Sequence, residues 1–195
     1  MMTRSHSLMK LRHRRGFTLL EMVIVLALIG LAMGGAMALF ISTSAERRLK
    51  GTSGDLELLA KRARAVSMVQ QTPYAITIYE QSARLSPLVE AGYTDDQLRE
   101  RQDFEAAALE SGSRAPKFSP VRETVSLQGY AVAVRRWGSN NWMPMLRSDP
   151  QVWRFDPNGI CEPMGIRAEY EDGWIEMEFH PLNASIRDRS MEAKR

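Results

Sequence analysis

Few side chains in this sequence have the types and spacing that catalysis or metal binding requires. The 195-residue chain has one cysteine, Cys161, and three histidines, of which only His180 lies beyond the first 16 residues. A zinc site takes three or four Cys, His or carboxylate ligands, and an activated nucleophile needs a base beside it. We therefore expect no metal, no cofactor and no enzymatic activity. A single cysteine also excludes an intramolecular disulfide.

One pair of acids, Asp95 and Asp96, has the composition of a metal site but a different context. The run Thr94-Asp95-Asp96-Gln97 has the form of a capping box, in which a threonine and a glutamine close the first turn of a helix. Acids in a first turn are stabilised by the helix dipole. We predict a short charged helix that extends to about Glu110, ahead of Gly112.

The carboxylate that needs an explanation is Glu21. It precedes 20 consecutive residues without a charge, Met22 to Ile41. At about 1.5 Å per residue this run spans roughly 30 Å, the thickness of the hydrocarbon core of a bilayer, so we predict one membrane helix. A carboxylate at its edge costs on the order of 1–3 kcal/mol. Glu21 either reaches back to the interface or meets a positive group.

The distribution of charge gives the orientation of this helix. Residues 1–16 hold five basic residues and no acid, whereas the remainder holds 21 basic and 23 acidic residues, a net charge of −2. The positive-inside rule then places the N-terminus in the cytoplasm and everything after Ser42 outside. The triplet Arg135-Arg136-Trp137 is weak evidence for nucleic-acid binding, and we expect no direct nucleic-acid partner.

Three interpretations fit the apolar segment. It is a secretory signal that is removed after Ala38, where Ala36-Met37-Ala38 matches the small-x-small cleavage pattern. It is a plain anchor for an external binding or catalytic domain. Or it is a retained helix in which the acid has a role. The first two interpretations leave Glu21 unexplained.

The string Gly16-Phe17-Thr18-Leu19-Leu20-Glu21 supports the third. Together with the arginines before it and the apolar run after it, over about residues 12–41, it resembles the N-terminus of type IV prepilins and type II secretion pseudopilins. The resemblance implies that a prepilin peptidase cuts after Gly16 on the cytoplasmic side and methylates the new N-terminus at Phe17. Residues 1–16 are then a removed leader, 17–41 a transmembrane and assembly helix, and 42–195 a periplasmic domain.

Cleavage after Gly16 gives Glu21 a partner. It leaves a cationic amine on Phe17, and Glu21 lies about 6 Å further along the helix axis. When helices bundle with an axial stagger, the carboxylate of one subunit can meet the amine of another, and a pair is far less costly in lipid than two separate charges. We infer that Glu21 determines assembly. Gly30 and Gly34 form a GxxxG spacing that favours close helix packing.

The rest of the chain predicts an α+β domain. Small and apolar residues at 3- and 4-residue spacing predict that the helix continues from Ser44 to about Gln70, with Gly51 and Gly54 loosening the junction. Tyr74, Ile76 and Ile78 alternate in a first strand. The segment 84–120 reads as a charged insertion. The predicted fold is a long N-terminal helix packed on a C-terminal antiparallel β-sheet, as in pilins.

Strands and turns follow from Thr124 onwards. Asp156-Pro157-Asn158-Gly159 predicts a tight turn, and Asp172-Gly173 between two alternating runs predicts a hairpin. We expect five large side chains to pack in the core against the first helix: Trp153, Phe155, Trp174, Met177 and Phe179.

The segment from about 150 to 186 resembles the H-type minor pseudopilins and the fimbrial T-type minor pilins. The resemblance implies a structural subunit of a pseudopilus that acts in type II protein secretion, or of a minor type IV pilus for adhesion or DNA uptake. It also implies the partners: other pilin subunits, the prepilin peptidase and N-methyltransferase, an inner-membrane assembly platform, and the lipid of the bacterial inner membrane.

Overall fold

The structure is a computed structural model, and it describes residues 19–110, 118–171 and 173–193. Within these ranges the side chains of residues 34–44, 109 and 193 are not described. The chain divides into two compact units, Met1–Ile41 and Ser42–Arg195. The first described residues of the chain are helical, and the second unit holds all the strands.

The predicted α+β class is confirmed: an N-terminal helix precedes antiparallel sheets. Two α-helices, α1 and α2, and nine strands, β1 to β9, are found in the described residues. In chain order they are α1 Leu19–Gln70, β1 Tyr74–Ile78, β2 Ser82–Pro87, α2 Asp95–Glu110, β3 Glu123–Ser126, β4 Ala131–Arg136, β5 Met143–Pro144, β6 Gln151–Phe155, β7 Met164–Tyr170, β8 Gly173–Phe179 and β9 Ile186–Ala193.

Helix α1 ends where the sequence predicted but is not interrupted at its glycines. It continues through Gly51 and Gly54, where an added Cβ would meet open space, and the loosening expected at these glycines stays a prediction. Each costs a helix about 1 kcal/mol relative to alanine, and the packing of the residues around them offsets this. At the C-terminus, Gln71 has a φ of 53° and the Thr72 amide bonds the Ser67 carbonyl at 3.3 Å. This is a Schellman motif.

The strands form two sheets, whereas the sequence predicted one. The first has the order β3-β2-β1-β6 and the second β5-β4-β7-β8-β9, with every pairing antiparallel. β6 leaves the C-terminal strands and pairs with β1, placing Tyr74 opposite Phe155. The described residues 84–87, at the start of the predicted insertion, lie in β2 and are part of the first sheet.

The core is formed by one face of each sheet and the buried face of α1 in the second unit. Trp153 packs its ring 4.8 Å from the ring of Phe155 and 4.8 Å from that of Phe179, and its indole donates to the Glu162 carbonyl at 2.7 Å. From α1 the core receives Leu49, Leu56, Leu59, Ala60 and Ala63. The two alanines allow the helix backbone to approach the sheets closely.

Four of the five predicted core side chains are buried, and Trp174 is not. Along β8 the inward residues are Gly173, Ile175, Met177 and Phe179. Trp174 lies on the opposite face, because successive side chains of a strand alternate. There its indole ring stacks with Arg167, whose guanidinium lies 4.9 Å from the ring centroid.

Both predicted turns are present. The Gly159 amide donates to the Asp156 carbonyl at 2.9 Å, and Gly159 has a φ of +83°. β7 and β8 form the predicted hairpin; Asp172, at its turn, lies outside the described residues. At α2 the capping box is confirmed, because the Thr94 amide donates to the Gln97 side-chain oxygen at 2.9 Å.

Gly159 also lies against α1, which gives a first prediction. A Cβ added there would lie 2.8 Å from the sulfur of Met68, whereas at Gly129, whose φ is +84°, the nearest atom would be 3.7 Å away. Gly129→Ala should lower the free energy of unfolding by about 1–2 kcal/mol through backbone strain alone. Gly159→Ala should lower it by about 1 kcal/mol more, since it also overpacks the helix contact.

The measurement is denaturant unfolding of the full chain in detergent micelles, followed by tryptophan fluorescence. An equal decrease in the free energy of unfolding of the two alanine variants would show that the close approach of Gly159 to Met68 does not affect stability.

Candidate functional site

The predicted assembly helix begins in the structure at Leu19, and Glu21 lies in its first turn. Glu21 is exposed. The same holds for the large apolar side chains of residues 19–33, all 11 of which are between 42% and 84% exposed. They occupy 11 of the 15 positions from 19 to 33, so they cover all sides of the helix. Such a helix is typical of a segment that is covered by other molecules.

The structure covers the predicted site residues unevenly. Gly16 and Phe17 lie outside the described residues, so cleavage and N-methylation stay predictions. At Gly30 an added Cβ would meet no described atom within 4 Å. Gly34 has helical backbone four residues later, on the same side of α1. The surface at Gly30 is therefore open among the described atoms, and the packing role of Gly30 and Gly34 stays a prediction.

No helix in the described residues has an apolar stretch long enough to cross a membrane. The membrane span that we predicted over 22–41 stays a prediction.

Polar contacts attach the second half of α1 to the turn between β6 and β7. The Arg64 guanidinium donates to the Gly159 carbonyl at 2.8 Å. The Ser67 hydroxyl, fully buried, lies 3.1 Å from the Asp156 carbonyl oxygen. These contacts link two carbonyl groups of the turn to polar side chains of the helix, and they explain why the turn packs against the helix.

Glu57 joins α1 to the last strand. Its carboxylate accepts from the Ile186 amide at 3.3 Å, lies 2.8 Å from the Lys61 ammonium and 3.8 Å from the Arg189 guanidinium. The pKa of Glu57 is lowered, mainly by the hydrogen bond from Lys61. The carboxylate therefore stays charged at neutral pH and fixes the start of β9 beside the helix.

A group of ion pairs, rather than an apolar face, holds α2 against the first sheet. Glu90 is 3% exposed and receives two bonds from the Arg122 guanidinium, at 2.7 and 2.8 Å. Arg122 also lies 3.1 Å from Glu105 of α2, and Arg101 of α2 lies 3.3 Å from Glu90. The pKa of Arg122 is raised, first by its hydrogen bonds to Glu90.

A further ion pair, Arg84–Asp95, fixes the N-terminal end of α2. Leu98 contributes its apolar side chain to the interior, and most other positions of the helix are exposed. We refer to Glu90, Arg101, Glu105 and Arg122 as the α2 ion cluster.

Neither Cys161 nor the acidic residues form a reactive group in the described part of the chain. Cys161 is 2% exposed, and burial raises the pKa of its thiol to about 11. The thiol is therefore protonated at neutral pH and does not act as a nucleophile. No three His, Cys, Asp or Glu side chains among the described residues are placed to hold a metal ion.

The comparison with protein families bears on the N-terminal segment. Residues 11–37 match the model of the prokaryotic N-terminal methylation motif. The chain carries this motif. The match supports the prepilin and pseudopilin family, and the motif is that of a structural rather than an enzymatic family. No curated protein and no solved structure gives a match to the chain.

The methylation motif includes Gly16, Phe17, Glu21, Gly30 and Gly34, the residues that sequence reasoning singled out. That reasoning missed the groups that position the helices in the second unit. Glu90 and Arg122 are 32 residues apart and belong to no motif, so their pairing follows only from the fold. Arg64 and Ser67 contact a turn that lies 95 and 89 residues further along the chain, and the helical spacing of α1 gives no signal of these contacts.

The α2 ion cluster gives the second prediction. Arg122→Ala leaves the buried Glu90 carboxylate with Arg101 as its remaining cation and should lower the free energy of unfolding by about 2–4 kcal/mol. The matched control is Arg62→Ala, which removes a pair with Glu123 whose arginine is 55% exposed. It should cost at most about 1 kcal/mol. Chemical denaturation of the two variants measures the difference, and a similar cost for both would refute the cluster's role.

Proposed function

We propose that this protein is a processed subunit of a pseudopilus-like filament that acts in type II protein secretion. The observation that carries the proposal is the methylation motif at residues 11–37, which contains an acid at the start of a helix with exposed apolar sides. The motif implies processing by the prepilin peptidase and assembly with other pilins.

Processing begins on the cytoplasmic side of the inner membrane. The peptidase cuts after Gly16, removes the basic leader of residues 1–16 and methylates the amine of Phe17. The apolar segment 17–41 stays attached and anchors the subunit by a single pass. The domain of residues 42–195 lies in the periplasm, and an inner-membrane assembly platform extracts the subunit into the filament.

The exposure of the first helix residues supports this sequence of events. Eleven large apolar side chains that are 42–84% exposed would be costly in water, at roughly 25 cal/mol for each Å² of apolar surface. Lipid covers them before assembly, and the helices of neighbouring subunits cover them afterwards. Gly30 and Gly34 present a surface without side chains where another helix backbone can approach.

Glu21 controls the register of assembly. In the filament its carboxylate pairs with the methylated amine of Phe17 on a neighbouring subunit, which penalises any stagger that leaves either charge in an apolar environment. The resemblance of residues 150–186 to H-type minor pseudopilins supports a role in secretion. A minor pilus for adhesion or DNA uptake would use the same processing and the same pairing.

This pairing gives the third prediction. Glu21→Val should leave membrane insertion and cleavage after Gly16 unchanged, because the variant removes a group that lipid disfavours. Incorporation into filaments should fail, since one terminal amine is left unpaired at a cost of about 3–5 kcal/mol. Glu21→Asp should be intermediate, having the charge but a shorter reach. Cleavage, membrane level and crosslinking to neighbouring subunits are measured for each variant.

The control is Glu46→Gln, which removes another carboxylate of α1, one that pairs with Lys50 at 2.5 Å. It should assemble as the unchanged chain does. Normal assembly of Glu21→Val would refute the pairing and leave Glu21 as an acid that reaches back to the interface.

A further inference from the structure

Two surfaces of the periplasmic domain carry opposite charges, and each exposes an aromatic side chain. The first is the outer side of α2. The 16 residues of the whole helix include six acids and two arginines, a net charge of −4. Asp95, Arg101 and Glu105 belong to the pairs that attach the helix, and Phe104 at its middle is 74% exposed. Exposed acids, among them Glu100 and Asp103, flank this phenylalanine.

The second surface is a cleft of about 250 Å³ in the sheet that does not carry α2. It lies beside the loop after β4 and is lined by three arginines, Arg135, Arg136 and Arg187, and one acid, Glu178. Arg136 also pairs with Glu162 at 2.9 Å, so the three arginines keep an excess of one positive charge over the two acids. We refer to it as the arginine cleft. Trp137 forms one wall and is 76% exposed. Small-molecule pockets typically have about 300–1,000 Å³, so the volume suits one inserted side chain better than a cofactor.

The arginine cleft is held in shape by its own contacts. Gly165 has no side chain, which lets the ring of Trp142 and the side chain of Arg135 lie on the strand; an added Cβ would be 3.3 Å from that ring. Arg135 stacks 4.5 Å from the centroid of Trp142 and pairs with Glu178. Arg187 bonds the other Glu178 oxygen at 2.5 Å. These contacts hold Arg135 and Arg187 in fixed positions without a bound partner.

The loop orients Trp137 outwards. The Ser139 amide donates to the Arg136 carbonyl at 3.1 Å, and Gly138 has a φ of +77°. These features form a tight turn with Trp137 at its corner. Tryptophan and arginine at the centre of a contact are the residues that most often dominate binding energy between proteins.

The two surfaces are not placed to meet within one chain. The α2 ion cluster and the pair Arg84–Asp95 fasten α2 to the first sheet, whereas the arginine cleft is formed by β4, β7, β8 and β9 of the second sheet. When the acidic helix of one copy contacts the basic cleft of a second copy, the contact is head-to-tail. Such a contact repeats as an open polymer unless the rotation between successive copies closes a ring.

We propose that α2 of one copy docks in the arginine cleft of a second copy, with Phe104 against Trp137 and the acids of α2 facing Arg136 and Arg187. This inference rests on the proposed function, because a filament brings periplasmic domains of successive subunits side by side. It gives the charged segment between β2 and β3 a role as an intersubunit contact of the external domain, additional to the contact of the N-terminal helices.

The test crosslinks two differently tagged full chains that are expressed together with a prepilin peptidase. One carries Ala107→Cys, at an exposed position one turn from Phe104, and the other carries Asn140→Cys, at an exposed position of the cleft lining. Phe104 and Trp137 stay in place, and a short bismaleimide joins cysteines that lie close together. Cys161 stays in both chains, since it is buried and gives the background. The expected product is a mixed dimer that carries both tags, and its yield should fall at raised salt because rim charges are screened.

Two controls separate docking from chance collision. Ile160→Cys replaces Asn140→Cys in the first; Ile160 is 44% exposed and lies in the turn against α1, outside both surfaces. The second compares Asp103→Lys in the Ala107→Cys chain with Asp55→Lys, an equal change of charge at an exposed position of α1. The mixed dimer should be lost with Asp103→Lys and retained with Asp55→Lys.

Three results would overturn the inference. They are equal crosslinking of the Ile160→Cys control, a mixed-dimer yield that Asp103→Lys leaves unchanged, and capture of another filament subunit by Ala107→Cys in place of this chain. Absence of the mixed dimer in chains that begin at Phe17 and assemble would also overturn it while leaving the proposed function intact. Chains that are not cut after Gly16 would overturn the proposed function itself, which keeps the two failures distinct.

Discussion

The apolar surface at the start of α1 is the constraint on which the rest of the molecule depends. Residues 19–33 expose large apolar side chains on all sides, and a helix of this kind is stable only where lipid or other helices cover it. Glu21 is a carboxylate at the edge of that surface. Whatever covers this surface must therefore provide an apolar environment, and in the proposed filament the terminal amine of a neighbouring processed subunit meets Glu21 there.

The second half of the same helix has the opposite composition and a different role. Leu56, Leu59, Ala60 and Ala63 form a narrow stripe that is buried in the core, and Arg64 and Ser67 bond the carbonyls of the turn before β7. This half of the helix is thus an integral part of the domain formed by the second unit. Within that domain α2 is attached differently, by charges around the buried Glu90, so that most of its length remains exposed and open to a neighbour.

The features that sequence reasoning predicted are those with a local cause. The capping box at Thr94, the turn at Gly159 and the end of α1 before Pro73 each depend on neighbouring residues, and all three are found. The methylation motif is equally local. Predictions that required strand pairing were less complete, because pairing joins residues that are distant in the chain. β6 joined the first sheet, and β9, whose residues alternate in charge rather than in hydropathy, was missed.

The error at Trp174 has the same origin. Its size and apolar character favoured the core, but the parity of β8 is set by Ile175, Met177 and Phe179, which are buried. The α2 ion cluster gave no sequence signal, since charged residues in a polar segment are indistinguishable from a solvated surface until the fold brings them together.

The central claim is that residues 1–16 are removed and the apolar helix is kept, so the most direct measurement is the mass and N-terminal sequence of the mature chain after expression with a prepilin peptidase. The account predicts a chain that begins at N-methylated Phe17 and retains Glu21 as its fifth residue. A chain that begins at Leu39, as a removed secretory signal would give, contradicts it.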